Sequence, residues 1–486
     1  MEKVTIHPPL YFLLNSLRGI GYSLETAIAD LVDNSVAAQA TMIEINFVWN
    51  QGNPYIAIVD DGTGMSDAEL ISALNLAVQG VDSIRNPKDL GRFGLGLKTA
   101  SFSQCKILSV VSKKNNMVSS YRWDLNALKE TPGDSLFLLK GPHSEHLDEV
   151  KNVTQIEHGT TVIWEDLDKA VTLGTTFDQF CKISEKVKDH LAMVFHRFLE
   201  RRDFSISVDG QKIKPWNPFP IFSPTNQYPI MRMGSRGHIT ASGFILPHKD
   251  YFPSEDAYVK VGGKGGWISH QGFYIYRNDR LLVAGSWLGL GEPKPWIKDE
   301  LHVLARIQVN ITSEDDFDWG IDVKKSTASP PIEARLKLQN LGFQIREKAR
   351  NVYVYRGGGK THKQSTFEYA WIKEADRYRV NRNHSIIREI IKETESNKKQ
   401  VALLLKIIEE SVPVERIWLD TTEQQAPIVD YTQQELNETI GPVIKEAFNL
   451  LIQNKAYTVE EAIKHLNNTE PFSSYPAVIK LIASEF

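Results

Sequence analysis

Asp30 and Asn34 stand four residues apart in the segment ADLVDNS. If that segment is helical, both side chains share one face. A carboxylate so placed can orient a water for attack, and an amide oxygen beside it can complete the shell of a magnesium ion. Glu25 is a poorer base, because it lies nine positions before Asn34, about 180° round the helix. The run DDGTGM, Asp60 to Met65, directly follows the apolar YIAIV. A carboxylate at a strand's end accepts a hydrogen bond from an exocyclic amine such as adenine's, and Gly62 and Gly64 let the backbone pass close to a flat ring. The segment GRFGLGLKT supplies Gly91, Arg92, Phe93, Gly94, Leu95, Gly96, Leu97, Lys98 and Thr99. A glycine-rich loop that opens a helix presents free N–H groups and a positive dipole end to phosphates. Its order is G-x-x-G-x-G with no strand before it, which argues against a Rossmann site, and no P-loop sequence occurs. Finally, Thr160 in GTTV offers a hydroxyl at a strand start, able to bond a carboxylate or the ring it holds.

The elements that must carry these residues are readable in outline. Ser23 caps a helix through LETAIADLVDNSVAAQA. MIEINFVW (42–49) and YIAIVD (55–60) read as strands, separated by the turn-like NQGNP. A helix is expected over 67–78, followed by a mobile loop through VQGVDSIRNPKDLGRFGLG. Strands recur at KILSVVSK, SSYRWDL and TTVIWEDL, and a helical stretch follows over about 177–201. SISVDGQKI reads as a hairpin turning at Asp209-Gly210. HITASGFIL, GFYIYRNDRLL, ARIQVNI and WGIDVKK are further strand candidates, and Pro330-Pro331 opens a long helix. A glycine-rich basic segment (355–364) then leads to helical patterns near 384–410, 433–453 and 458–466.

Composition narrows the class. The 486 residues hold 56 Lys+Arg against 60 Asp+Glu, a formal charge of −4, so any nucleic-acid contact must use a local basic surface. Two cysteines make no disulfide framework, and no Cys/His cluster has zinc spacing. The start lacks signal-peptide features, and no apolar run approaches the ~20 residues of a membrane helix. The expectation is a cytoplasmic protein with no membrane association.

The four segments, in this order, resemble the Bergerat ATP-binding fold of the GHKL ATPases, over about residues 10–170. That family includes DNA gyrase B, the MutL repair proteins, heat-shock chaperones, sensor histidine kinases and the MORC ATPases. The resemblance implies an α/β chain: a Bergerat-type α/β sandwich (1–175), a transducer-like, ribosomal protein-like α/β domain (176–350), and a basic linker with a helical C-terminal region (351–486). It implies ATP and Mg2+ as cofactors. Asp30 falls at the general base and Asn34 at the magnesium ligand. Asp60 falls at the adenine-binding aspartate, with Gly62, Gly64 and Met65 in the base pocket. Gly91 to Gly96 fall in the phosphate lid, with Leu97, Lys98 and Thr99 following. Thr160 supports the adenine contact. The base is usually Glu in the gyrase, MutL and MORC branches. Asp30 is one methylene shorter, so hydrolysis is expected to be slow. The Asp-Ala that usually follows the asparagine is here Ala37-Ala38.

GFYIYRNDRLLVAG (272–285) resembles the strand-turn-strand of the transducer domain, and IDVKKS places Lys324 or Lys325 where that domain sends a lysine to the γ-phosphate. LVDNSVAAQA, GRFGLGLKTAS and YIYRNDRLL are most similar to MORC ATPases and their prokaryotic relatives. The implied activity is a magnesium-dependent ATPase acting as an ATP-gated dimeric clamp on DNA, in prokaryotic defence or genome maintenance, beside a nuclease or helicase. A basic stretch with interleaved tyrosines (Arg346, Lys348, Arg350, Arg356, Lys360, Lys363, Arg377, Arg379, Arg382, Arg388) suits a phosphate backbone and equally a charged linker and helix face. A chaperone-like ATPase and a nucleotide-gated interaction module with little hydrolysis are the alternatives.

Overall fold

The computed structural model describes residues 14–16, 18–19, 21–75, 96–130, 136–144, 148–172, 174–220, 227–234, 237–322, 325, 327–354, 370–374, 377–393, 398–411, 441–455 and 457–486. The chain divides into two compact units, Met1–Gly357 and Gly358–Phe486.

Helix α1 (Leu24–Ala37) begins where Ser23 accepts a hydrogen bond from the Thr26 N–H, and it buries Ala27, Ile28, Leu31 and Val32. Strands β1 (Met42–Val48) and β2 (Tyr55–Asp60) pair antiparallel. Helix α2 (Asp67–Leu74) starts at a Ser66–Glu69 capping box. Helix α3 (Gly96–Phe102) leads to β3 (Ile107–Lys114), β4 (Met117–Asp124), β5 (Leu139–Lys140) and β6 (Gly159–Glu165). Helix α4 (Phe177–Val194), with its own Thr176–Gln179 capping box, gives way at Phe195 to the single turn α5 (His196–Leu199). The hairpin β7 (Ser205–Val208) and β8 (Gln211–Lys212) turns at Asp209-Gly210, both with positive φ as a tight hairpin demands. These strands form one eight-stranded sheet in the order β5-β4-β3-β6-β2-β1-β7-β8, with β7 parallel to β1. The first core therefore runs on to Ile213, past the boundary expected near residue 175. β2 and β6 are buried almost throughout, without alternation, because both sheet faces are covered. Tyr55, Ala57 and Ile163 pack with Val150 from the helix Asp148–Gln155, an element the sequence did not announce.

A second sheet follows in the same unit. Its strands are β9 (Met231–Met233), β10 (Ile239–Ile245), β11 (Gly272–Arg277), β12 (Arg280–Ser286) and β13 (Ala305–Ile311), in the order β12-β11-β13-β10-β9. Helix α6 (Ile332–Val354) lays Leu338, Leu341 and Ile345 into its core. A Cβ on Gly243 of β10 would stand 2.2 Å from Ile345, so that close approach requires glycine. The WGIDVKK strand does not form over its described residues. Turns replace it: Trp319 N–H donates to Asp315 O, Ile321 N–H to Asp316 O, and Lys325 N–H to Asp322 O. The cause is local, since Asp315 caps the turn at Thr312 and the Asp316 carboxylate is gripped by Arg277 at 2.7 and 2.8 Å.

In the second unit, β14 (Trp371–Glu374) and β15 (Arg377–Val380) form a hairpin where only a basic run was expected. The helix expected over 384–410 is two, α7 (Ser385–Glu393) and α8 (Lys398–Ser411). Helices α9 (Gly441–Lys455), α10 (Val459–Leu466) and α11 (Pro476–Ala483) enclose Ile444, Phe448, Leu451, Leu466 and Ile479.

Candidate functional site

Asp60 ends β2 at 7% exposure, with α1 against one side. Its Oδ2 accepts from Ser35 Oγ at 2.8 Å and its Oδ1 from the Gly62 N–H at 3.0 Å. Burial raises its pKa, while those bonds and a main-chain contact from Thr160 pull the other way. Asp60 and Thr160 face each other across β2 and β6. The Thr160 hydroxyl lies 2.9 Å from Ser112 Oγ, which also receives the Met65 N–H at 2.8 Å. Gly64 has φ +63, and a Cβ there would meet the Lys113 carbonyl at 1.9 Å, so only glycine fits. Asp61 instead anchors the start of β1, accepting from the Thr41 N–H at 2.7 Å and the Met42 N–H at 2.8 Å.

The other end of the site is built on the middle of α1 and the helical turn that follows. Asp30 is 1% exposed and Asn34, one turn on, is exposed. The Asn34 amide makes no hydrogen bond among the described residues. Asp30 Oδ2 accepts from the Tyr22 hydroxyl at 2.8 Å, and a Cβ on Gly96 would lie 3.8 Å from that same oxygen. Burial, with the Asp30 charge adding to it, raises the Tyr22 pKa, so Tyr22 remains a donor; its hydroxyl also contacts Thr99. The last glycine of the lid motif and the base candidate are thus brought together. Gly91, Arg92, Phe93, Gly94 and Leu95 lie outside the described residues. Leu97 packs against the core. Lys98 does not face Asp30: its ammonium donates to the carbonyls of Ala73 at 3.1 Å and Asn75 at 2.7 Å, closing the C-terminus of α2. Burial lowers the Lys98 pKa to about 8.

Lys325 comes from the second sheet's side. Its Nζ lies 2.5 Å from Asp33 Oδ2 and 3.1 Å from Asp30 Oδ1. Arg280, at the start of β12, donates from Nε to Asp33 Oδ1 at 2.9 Å. Lys324 lies outside the described residues. Two buried carboxylates of α1 therefore meet two buried cations, Arg280 on β12 and Lys325 in the turns after β13. Sequence reasoning missed Tyr22, Asp33, Ser35, Ser112 and Arg280. Asp33 and Ser35 lay inside the α1 motif and Arg280 inside YIYRNDRLL, though none was singled out there; Tyr22 and Ser112 carried no local signal.

Among the described residues no cluster of three or more His, Cys, Asp or Glu could hold a metal unaided, and no helix is long and apolar enough to cross a membrane. The residues present fit a nucleotide with its cation: Asp60 is an acceptor with lone pairs left over, and Asn34 offers a free amide oxygen beside a carboxylate. Part of the expected basic surface is used internally. Arg346 pairs with Asp299 at 3.3 Å and lies over Trp287, and Arg382 pairs with Glu409 at 2.9 Å. Lys348, Arg350, Arg379 and Arg388 are exposed.

The family described as histidine kinase-, DNA gyrase B-, and HSP90-like ATPase matches residues 22–160. ATPase morc-1 of Caenorhabditis elegans is 32% identical over 95 residues, which are 20% of this chain and 11% of that protein. The chain thus spans only about a tenth of that relative's length. The matched span runs from Tyr22, which holds Asp30, to Thr160, which faces Asp60, and residues 22–160 are a GHKL ATPase domain similar to that of the MORC ATPases.

Proposed function

We propose that this chain binds ATP with magnesium and hydrolyses it slowly to ADP and phosphate, and that ATP binding closes a homodimeric clamp on DNA in prokaryotic defence or genome maintenance. The observation that carries the reading is the convergence on α1, which bears Asp30 and Asn34, of Asp60 from β2 through Ser35 and of Gly96 from the start of α3, with Lys325 from the turns after β13 reaching Asp30. Asp60 holds the exocyclic amine of adenine, oriented by Ser35 and Gly62. Magnesium, when bound, neutralises phosphate charge, and Asn34 supplies it an oxygen. Asp30 orients the attacking water and takes its proton on a carboxylate oxygen, with Tyr22 fixing the carboxylate's direction. Lys325 contacts the γ-phosphate, tying nucleotide state to the docking of the second sheet. The exposed Lys348, Arg350, Arg379 and Arg388 support the DNA part.

Calorimetry with ATP in magnesium and in EDTA tests the base of this reading, and absence of magnesium-dependent binding refutes it. Sizing the protein with and without a non-hydrolysable ATP analogue, with and without duplex DNA, tests the clamp. Nucleotide-dependent dimers that retain DNA support it, and unchanged monomers refute it. The engagement of both Asp30 oxygens, by Tyr22 and Lys325, favours a second reading, a nucleotide-gated interaction module with little hydrolysis. Equal single-turnover rates for wild type and Asp30→Ala would favour that module.

A further inference from the structure

Asp33 has no part in the function argued so far, yet it is fully buried and its carboxylate meets two buried cations, Arg280 and Lys325. Lys325 Nζ lies nearer to it (2.5 Å) than to Asp30 (3.1 Å). Arg280 fixes both parties. Its Nε bonds the Asp33 carboxylate at 2.9 Å, while Nη1 reaches the Leu281 carbonyl at 3.1 Å and the Lys325 carbonyl at 3.4 Å. Arg280 is itself held in place, since the neighbouring Asp279 at the hairpin turn pairs with Arg197 at 3.2 Å and Arg201 at 2.8 Å near α5. Lys325 has φ +50, a left-handed conformation that a lysine adopts only when its surroundings impose it.

Resting on the ATP reading above, we propose that Asp33, locked by Arg280, is a positioning residue that parks Lys325 away from the γ-phosphate and so sets how strongly the site prefers ATP to ADP. A buried ammonium leaves one anionic partner only for another. ADP has no γ-phosphate to offer, so the park opposes ATP specifically. Arg280 stays on Asp33 when the lysine departs, so that carboxylate is not stranded and the exchange is reversible. A ligand can shift such an equilibrium only by its difference in affinity for the two placements.

The test is the ratio of ATP to ADP affinity, by calorimetry in magnesium, for wild type, Asp33→Asn, Lys325→Met and the Asp33→Asn/Lys325→Met double variant. Replacing the carboxylate by an amide weakens the park, so the ratio should rise on the order of tenfold in Asp33→Asn, within the ordinary range of coupling between sites. The gain should vanish in the double variant, because no ammonium remains to be released. A ratio unchanged or lowered in Asp33→Asn overturns the proposal, as does a rise that survives Lys325→Met. If Asp33→Asn does not fold, Asp33→Asn/Arg280→Gln, which keeps an amide-to-amide contact, takes its place with the same outcomes. A purely structural role for Asp33 would move both affinities together. Failure of wild type to bind either nucleotide strikes the ATP reading itself, a result distinct from all of these.

Discussion

Replacing Asp60 by Asn changes one acceptor oxygen into a donor without changing shape. The Gly62 N–H can only donate, so the remaining oxygen must keep the 3.0 Å bond to it. The new NH2 group then faces Ser35 Oγ, now 2.8 Å from the second carboxylate oxygen, and the hydroxyl can rotate to accept. The Ser35 and Gly62 bonds survive, the main-chain contact from Thr160 survives where it meets the retained oxygen, and the cost of burying a charge at a 7% exposed position is removed. Folding stability near neutral pH should therefore hold or rise slightly. Nucleotide binding should not hold, because the amide's second hydrogen points where the adenine amine needs an acceptor. Losing a hydrogen bond to a charged group costs about 1.5–3 kcal/mol, or roughly 10- to 150-fold in Kd. Calorimetry with ATP and with inosine triphosphate, whose ring carries an oxygen in place of that amine, separates the effects. Asp60→Asn should lose ATP affinity by that factor while inosine triphosphate binding is maintained or improved. Undiminished ATP affinity in a folded Asp60→Asn would refute the placement of the base on Asp60, and equal losses of both nucleotides would refute recognition of the amine.

Asn34→Ala should leave the melting temperature unchanged, since the side chain is exposed, and should remove at least about tenfold of the affinity gain that magnesium gives ATP over EDTA. Lys98 has a folded-state pKa of about 8 against an ordinary 10.5. Between those values the unfolded chain holds the proton and the folded chain does not, so stability should rise with pH across that window. Urea midpoints at about pH 7.5 and about pH 9.5 should show this rise in wild type relative to Lys98→Met. Arg277→Met leaves the buried Asp316 without its bidentate partner and should cost about 3–5 kcal/mol in chemical denaturation.

The Asp60 end of the candidate site was legible because its parts sit at the ends of elements with strong local signatures. Asp60 follows an apolar strand and Thr160 opens one, and the antiparallel register of β2 and β6 brings them opposite. What stayed hidden depends on contacts with no local trace. Ser112 lies mid-strand among apolar neighbours, where a serine reads as filler until Thr160 and Met65 are seen to meet it. Arg280 and Lys325 reach Asp33 across 247 and 292 positions, beyond any periodicity. Lys98 was placed with the phosphates because it follows glycines at a helix start. The spacing could not show that α2 ends beside it with two carbonyls to satisfy. The WGIDVKK segment alternated like a strand, but its fate was set by Asp315, which caps the turn at Thr312, and by Asp316, whose partner Arg277 lies on β11.

The two ends of the site differ in kind, and the difference bears on how a nucleotide is sensed. Asp60, Ser35, Gly62, Ser112 and Thr160 all belong to the first sheet, the turn after β2 and α1, so whatever they hold is recognised without any group from the second sheet. Among the described residues, the cations that meet Asp30 and Asp33 are Arg280, on β12 of that second sheet, and Lys325, in the turns that follow β13. At 1% and 0% exposure neither carboxylate can rely on water, and each would resist losing its cation by several kcal/mol. On the proposed reading, a triphosphate entering without a cation would add negative charge beside two carboxylates while drawing Lys325 from them. That exchange is unfavourable unless positive charge enters with the nucleotide. The demand for magnesium then follows from the carboxylate pair as much as from Asn34, and Lys325 responds to the γ-phosphate only after the base has been gripped at the far end.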